Sequence, residues 1–251
     1  MEIFTINGNY HNRPTDVFVS KTKESVKSVT IFVNGLYGVF DPTEKTDKLN
    51  ILIKKLVEGD ITNCVSYNSS RDFEFDSTLE YRERIDAFKD KTFLQELEDL
   101  KDVVGWVTGN CEKIFGIKRE ELVLNIHGNS LGGTLAILLC DFFPSIKKIS
   151  LCGSGCGTNG STKSIMSTII DEEDILKSVG LFEGDLLLLQ GGEDTTVPQE
   201  SGLKILNYAI KANKIHIVVP GVNHNFSKIW GIENDEVKEM FVAVIFDFLT
   251  K

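Results

Sequence analysis

Residues 122–139 (LVLNIHGNSLGGTLAILL) determine the fold of this chain. A short apolar run leads into Gly-Asn-Ser-Leu-Gly-Gly, and a second apolar run follows. The pattern predicts a buried strand, a very tight turn that carries Ser130, and a buried helix. Gly128 and Gly132 suit such a turn, because the strand and the helix pack too closely there for larger side chains.

A serine placed between a strand and a helix in this way is typical of a nucleophile elbow. The serine hydroxyl is exposed on a strained turn, and backbone N–H groups at the start of the helix can receive an oxyanion. Gly-x-Ser-x-Gly also occurs as an ordinary glycine-rich turn with a solvated serine. The apolar strand before the turn and the apolar helix after it favour the elbow, so Ser130 is the candidate nucleophile.

The length of 251 residues is enough for one large α/β domain, residues 1–251, with a single core. The chain has 27 Lys and Arg against 37 Asp and Glu, a formal net charge of −10. An acidic chain repels phosphate backbones and anionic lipids, so neither nucleic acid nor a membrane surface is an expected partner. The same charge also serves solubility. No secretory leader and no apolar run of membrane-spanning length are visible, which predicts a cytoplasmic location.

Five cysteines are present: Cys64, Cys111, Cys140, Cys152 and Cys156. An odd number without a CxxC pair argues against a disulfide framework and against a zinc site. Most of them lie in or beside apolar segments, where a thiol behaves as a small hydrophobic group. No metal is therefore expected.

Apolar runs of strand length alternate with amphipathic helical segments along the chain. This order implies a mostly parallel sheet with helices on both faces, preceded by a hairpin. The predicted strands are 2–6, 15–20, 29–33, 61–67, 122–126, 149–152, 185–190 and 215–219. The predicted helices are 43–57, 93–115, 131–143, 200–212 and 233–249.

Two segments, 68–91 and 153–184, interrupt this alternation. Each follows the C-terminal end of a strand, which is where ligand crevices form in such sheets. We expect them to line or cover the pocket; the alternative is that they are only surface insertions.

A serine hydroxyl needs a base within hydrogen-bond reach, and the base needs an orienting acid. His224 follows the last predicted strand and is the candidate base, because its loop lies at the same edge of the sheet as Ser130. His127, directly before the elbow glycine, is better interpreted as a structural histidine. The other two histidines lie in the first turn (His11) and within a strand (His216).

The candidate acid follows strand 185–190, which delivers two carboxylates into a tight loop. Asp194 is the preferred acid and Glu193 is the alternative. A third interpretation is that both side chains cap the following helix.

The chain order Ser130, Asp194, His224, with a strand, elbow and helix around the serine, resembles the α/β-hydrolase superfamily. The matching segments are 128–132, 192–198 and 221–224, and the resemblance extends over nearly the whole chain. It implies an α/β-hydrolase fold with a small lid and no cofactor.

The resemblance also implies an oxyanion hole formed by two backbone N–H groups, those of Leu131 and Leu36. Leu36 belongs to the loop Asn34-Gly35-Leu36-Tyr37-Gly38. Asn34 stands where the superfamily usually has a histidine that helps to hold this loop.

The implied activity is that of a serine hydrolase acting on a small acyl substrate: an ester, a thioester or an amide, cleaved through an acyl-serine intermediate. The resemblance is to small esterases and acyl hydrolases. The alternatives are a peptidase, an acyltransferase or a non-catalytic binding protein of the same fold. Arg71, Arg82 and Arg84 could hold the carboxylate of a peptidase substrate, or they are solvated surface charges. The sequence leaves the oligomeric state open.

Overall fold

The centre of the fold is a β-sheet, and the computed structural model describes residues 1–74, 81–157, 164–227 and 234–251. The strands are β1 (Glu2–Asn7), β2 (Pro14–Ser20), β3 (Ser28–Val33), β4 (Asn63–Asn68), β5 (Val123–Asn129), β6 (Ile146–Cys152), β7 (Asp185–Gly191) and β8 (Asn213–Val219). Their order in the sheet is β1-β2-β4-β3-β5-β6-β7-β8. β2 pairs antiparallel with β1 and with β4, and all the other pairs are parallel. The predicted α/β class with a mostly parallel sheet is confirmed.

Helices cover both faces of this sheet. They are α1 (Lys48–Glu58), α2 (Tyr81–Asp86), α3 (Phe93–Phe115), α4 (Leu131–Leu138), α5 (Ser164–Ser167), α6 (Glu172–Leu181), α7 (Gln199–Tyr208) and α8 (Asn234–Thr250). Apolar side chains of α1 and α8 form one core, and those of α3, α4, α6 and α7 form the other. Strand β7 divides between them, since Leu187 and Leu189 face α8 whereas Leu186 and Leu188 face the opposite core. Burial on both faces explains its continuous apolar run.

Several element boundaries differ from the prediction. The first helix begins at Lys48 rather than at 43, because the Asp47 carboxylate caps the N–H groups of Leu49 and Asn50. The elbow helix ends at Leu138 and continues only as a 3₁₀ turn to residue 141. Periodicity of apolar residues locates helices, but local capping decides where they begin and end.

A buried ionic cluster anchors the first of the two interrupting segments. The Asp99 side chain on α3 is fully buried and accepts hydrogen bonds from the Asn9 backbone N–H (2.7 Å) and side chain, from the Ser70 N–H and hydroxyl, and from Lys91 Nζ at 2.7 Å. Glu96 Oε2 lies 2.6 Å from the same ammonium, as an ion pair whose angles do not make a hydrogen bond. Burial raises the pKa of Asp99, but the charge of Lys91 and these hydrogen bonds outweigh it, so the pKa lies below its ordinary value.

The described parts of the two interrupting segments contact each other beside α3. The Ser164 hydroxyl donates to the Phe88 carbonyl at 2.9 Å, and the Phe93 N–H donates to the Thr168 hydroxyl at 2.8 Å. Helix α6, in the second segment, packs against α4 and α7 and is part of the scaffold.

Candidate active site

The turn between β5 and α4 holds Ser130 in a strained conformation. Ser130 has φ 50° and ψ −120°, a region that residues with a side chain rarely adopt, and its N–H donates to the Cys152 carbonyl at 2.8 Å. A Cβ on Gly128 would lie 2.5 Å from the Gly132 carbonyl oxygen, and one on Gly132 would lie 2.4 Å from the Val33 carbonyl oxygen. Both glycines are therefore required by close backbone contact, which agrees with the elbow predicted for this turn.

The structure brings the three sequence-predicted side chains into one hydrogen-bonded chain. His224 Nε2 lies 3.0 Å from the Ser130 hydroxyl, and His224 Nδ1 lies 2.8 Å from Asp194 Oδ2. Because an ionised carboxylate only accepts hydrogen bonds, Nδ1 carries the proton and donates a hydrogen bond to Asp194. Nε2 is then free to accept from the serine hydroxyl.

Backbone hydrogen bonds hold the Asp194 side chain in place, in addition to its contact with His224. Its other oxygen, Oδ1, accepts from the backbone N–H groups of Thr196 and Val197, both at 2.9 Å, and its side chain is fully buried. Burial raises the pKa of Asp194, but the hydrogen bonds from His224 and from the two backbone groups outweigh it, so the pKa lies below its ordinary value. Glu193, the alternative acid, is exposed to solvent.

The other three histidines lie away from this chain of hydrogen bonds. His127 is fully buried with Nδ1 2.8 Å from the Ser150 hydroxyl, and burial lowers its pKa to about 3, so it stays neutral. His216 Nε2 lies 3.0 Å from the Gln190 amide oxygen, and His11 lies against Asp72. The position of His127 agrees with the structural role expected for it.

The two residues predicted to form the oxyanion hole, Leu131 and Leu36, both lie beside the cavity that contains Ser130. Leu131 is the first residue of α4, so its N–H has no partner within the helix. The loop that carries Leu36 passes close by, since a Cβ on Gly35 would lie 3.3 Å from Ser130 Cβ. Both leucines line the cavity next to Ser130.

The loop after β3 is held without the usual histidine. Its tight turn closes with the Gly38 N–H donating to the Gly35 carbonyl at 2.9 Å. Just beyond, the Asn68 side chain accepts from the Phe40 N–H (2.7 Å) and donates to the Phe40 carbonyl (3.0 Å). Sequence analysis missed Asn68, whose only signal was an amide at the end of a buried strand.

Solved structures similar to this chain share its full extent. An esterase domain of a Rhodothermus marinus protein aligns with a TM-score of 0.62 at 14% identity and covers 99% of this chain and 100% of its own. An alpha-beta serine hydrolase homologue from Coxiella burnetii aligns at 0.58 with 19% identity, covering 97% of each chain. A dienelactone hydrolase from Anabaena variabilis aligns with a TM-score of 0.65 at 12% identity and covers 98% of this chain and 96% of its own. The chain has the α/β-hydrolase fold. No protein-family model and no curated protein sequence matched it.

The candidate site of this α/β-hydrolase fold opens into a cavity of about 1000 Å³. The described part of the segment 153–184 contributes three residues to its wall, namely Gly155, Gly157 and Met166. The remaining wall is mixed: apolar groups come from the two leucines beside the serine and from Val197, whereas α1 and α8 contribute lysines. The cavity is therefore large enough to hold a molecule of moderate size beside Ser130.

The arginines considered for a peptidase substrate do not form a carboxylate clamp in the described cavity wall. The Arg71 side chain is buried, donates to the Ser69 carbonyl at 3.1 Å and pairs with Glu74. Arg84 belongs to α2 and is not among the described lining residues, and the Arg82 side chain lies outside the described residues.

The described residues contain no group of three or more His, Cys, Asp or Glu side chains arranged to hold a metal ion. All five cysteines are free thiols, and burial raises the pKa of Cys152, which lines the cavity, to about 12. In the part of the chain that the structure describes, no helix is both long and apolar enough to cross a membrane.

Proposed function

We propose that this protein is a serine hydrolase that cleaves carboxylic esters of small or medium acyl chains through an acyl-serine intermediate. The observation that carries the proposal is the hydrogen-bonded chain from Asp194 through His224 to Ser130, which ends at a cavity of about 1000 Å³. The strained Ser130 backbone supports it, since such strain persists mainly where function requires a particular side-chain position.

The first half-reaction forms the acyl-enzyme. His224 Nε2 takes the Ser130 proton while the serine oxygen attacks the ester carbonyl, and the Leu36 and Leu131 N–H groups stabilise the oxyanion, each by about 3 kcal/mol. Collapse of the tetrahedral intermediate breaks the bond to the alcohol oxygen, which leaves with the proton from His224. Asp194 holds the imidazole in the tautomer that this transfer needs and stabilises its charged form.

The second half-reaction repeats these steps with water. His224 takes a proton from water as the water oxygen attacks the acyl carbonyl, and it returns that proton to Ser130 as the acid is released. An ester substrate is supported by the names of similar structures, which include an esterase domain and a dienelactone hydrolase. We propose that residues 1–251 act as one domain, in which the segment 153–184 helps to cover the cavity.

The test compares esters with amides and compares histidines with one another. Wild-type protein is assayed with p-nitrophenyl esters of rising chain length and with aminoacyl-naphthylamides, and its serine is labelled with a fluorophosphonate. We expect ester turnover and labelling, with kcat lowered by about 10⁴-fold or more in Ser130→Ala and His224→Ala.

His216→Ala is the matched control, because His216 lies on β8 against Gln190 and outside the hydrogen-bonded chain. It should keep both activity and labelling. Ester hydrolysis that survives in Ser130→Ala would rule out the proposed nucleophile. Absence of both labelling and turnover in native protein would favour a binding protein instead.

A further inference from the structure

Among the described residues, two lysines line the cavity, although the chain as a whole is acidic. Lys48 is the first residue of α1, and Lys238 lies in the second turn of α8, which packs against α1. Lys238 pairs with Asp235, whose side chain is 81% exposed, across a 3.3 Å ion pair that contributes little in water.

The Lys48 ammonium has an unusual environment for a half-buried cation. Its Nζ donates to the Asn225 carbonyl at 3.1 Å and lies 4.7 Å from the centre of the Phe241 ring and 5.3 Å from that of Phe226. Among the described residues, none of the ion pairs with a carboxylate within 4 Å includes Lys48. Since an ammonium has three donors, donors remain available toward the cavity.

Lys48 does not stabilise helix α1 through its position. A cation at a helix N-terminus opposes the positive end of the helix dipole, and no acidic residue follows in the first turn of α1. The neighbouring Asp47 carboxylate is engaged by the N–H groups of Leu49 and Asn50. Asp47 also lines the cavity and formally balances the charge of Lys48, but its carboxylate is held by α1, whereas the Lys48 ammonium keeps donors available toward the cavity.

This charge lies close to the reacting groups. The carbonyl that Lys48 contacts belongs to the residue directly after His224, and Lys48 lines the same cavity as Cys152, whose carbonyl accepts from the Ser130 N–H. An anionic group on a substrate bound to Ser130 would reach this ammonium without displacing a carboxylate partner.

We propose that Lys48 is a specificity-determining residue that binds an anionic group, in the simplest case a carboxylate, carried by the ester substrate. The inference rests on the proposed function and names its substrate class. The carboxylate can belong to the acyl part or to the alcohol part, and two substrate pairs separate these sources. The acyl pair is mono-p-nitrophenyl glutarate and p-nitrophenyl pentanoate; the alcohol pair is 4-acetoxybenzoate and its methyl ester.

The experiment measures kcat/KM for each pair in wild type, Lys48→Met, Lys48→Arg and Lys54→Met. We expect Lys48→Met to lower the ratio of charged to neutral ester by about tenfold in one pair, mainly through KM, because a charged hydrogen-bond partner is lost. Lys48→Arg should keep most of the ratio. Lys54→Met, on the same helix but 71% exposed and paired with Glu58, should leave both ratios unchanged.

A second measurement does not depend on the folding of the variant. In wild type, the ratio for the responding pair should fall modestly as NaCl rises, because salt weakens the attraction of a carboxylate for a half-buried ammonium, although less than for an exposed pair. Activity on neutral esters with no effect of Lys48→Met or salt on either ratio would overturn this inference and leave the proposed function standing. Failure to hydrolyse any ester would overturn the proposed function, and this inference with it.

Discussion

Asp99 and Asp194 are both buried carboxylates with lowered pKa values, but their hydrogen-bonded chains end in different places. The partners of Asp99 are the buried residues Ser70 and Lys91 and the exposed residue Asn9, and none of the three lines the cavity described above. Asp194 is held by two backbone N–H groups and by a histidine whose far nitrogen reaches Ser130 at the cavity. The Asp99 cluster therefore lies away from the cavity, whereas the Asp194 chain ends at the cavity wall.

Lys91 and Lys48 differ in the same way as Asp99 and Asp194. Lys91 is fully buried between Asp99 and Glu96 and also donates to the Ser70 carbonyl, so its charge is compensated inside the fold. Lys48 reaches the cavity with a carbonyl and two rings as its partners. Burial and a shifted pKa therefore do not distinguish a functional cluster from a structural one; unsatisfied bonding capacity at a cavity does.

The largest expected effect separates Asp194 from Asp99 by activity. In Asp194→Asn the amide can donate to His224 Nδ1, which selects the tautomer whose Nε2 carries the proton and cannot accept from Ser130. We expect kcat for a p-nitrophenyl ester to fall by about 10⁴-fold. Steady-state kinetics measures this effect, and activity within tenfold of wild type would remove Asp194 from the proposed mechanism.

Asp99→Asn should lower the stability of the fold and leave the activity nearly unchanged. Removal of the carboxylate leaves Lys91 with only the poorly aligned Glu96 as its buried counter-charge, so the free energy of unfolding should fall by about 3 kcal/mol. Ester hydrolysis at a temperature where the variant is folded should stay within about twofold of wild type. Urea unfolding followed by fluorescence, beside the ester assay, measures both quantities.

The pH dependence provides the control for Asp99→Asn. Because the folded pKa of Asp99 is depressed, its stabilisation is fully present above its ordinary pKa of about 4 and is lost as the pH falls through the lower, folded pKa. The difference in stability between wild type and Asp99→Asn should therefore narrow between pH 7 and pH 3. A constant difference would mean that the cluster stabilises the fold through packing and not through charge.

The fold was predictable because its strongest signals are local. The apolar strand, the Gly-Asn-Ser-Leu-Gly turn and the apolar helix are contiguous, and close packing at this turn admits only glycine at 128 and 132. The choice of Ser130, Asp194 and His224 used the same logic, because each follows a strand whose C-terminal end lies on one edge of a parallel sheet. Their catalytic roles remain a prediction.

The parts that sequence analysis missed depend on partners distant in the chain. Asn68 holds the backbone of a residue 28 positions earlier, and Asp99 joins residues as distant as Asn9. These polar residues lie in segments whose sequence is typical of loops or of the exposed face of a helix, and only the folded chain shows which of them bind one another. Lys48 was missed for a related reason, since a lysine in a polar stretch is normally solvated.

The smallest expected effect concerns the strain at the elbow. Glycine adopts a φ of 50° at little cost, whereas alanine keeps the Cβ that opposes it, so Ser130→Gly should be more stable than Ser130→Ala by about 1 kcal/mol. Both variants lack the hydroxyl and should be inactive. At an ordinary helical position the order reverses, and Lys54→Gly should be less stable than Lys54→Ala by about 1 kcal/mol. If Ser130→Gly were also less stable than Ser130→Ala, the turn would not store strain. The positive φ of Ser130 would then no longer support a functional role for the serine.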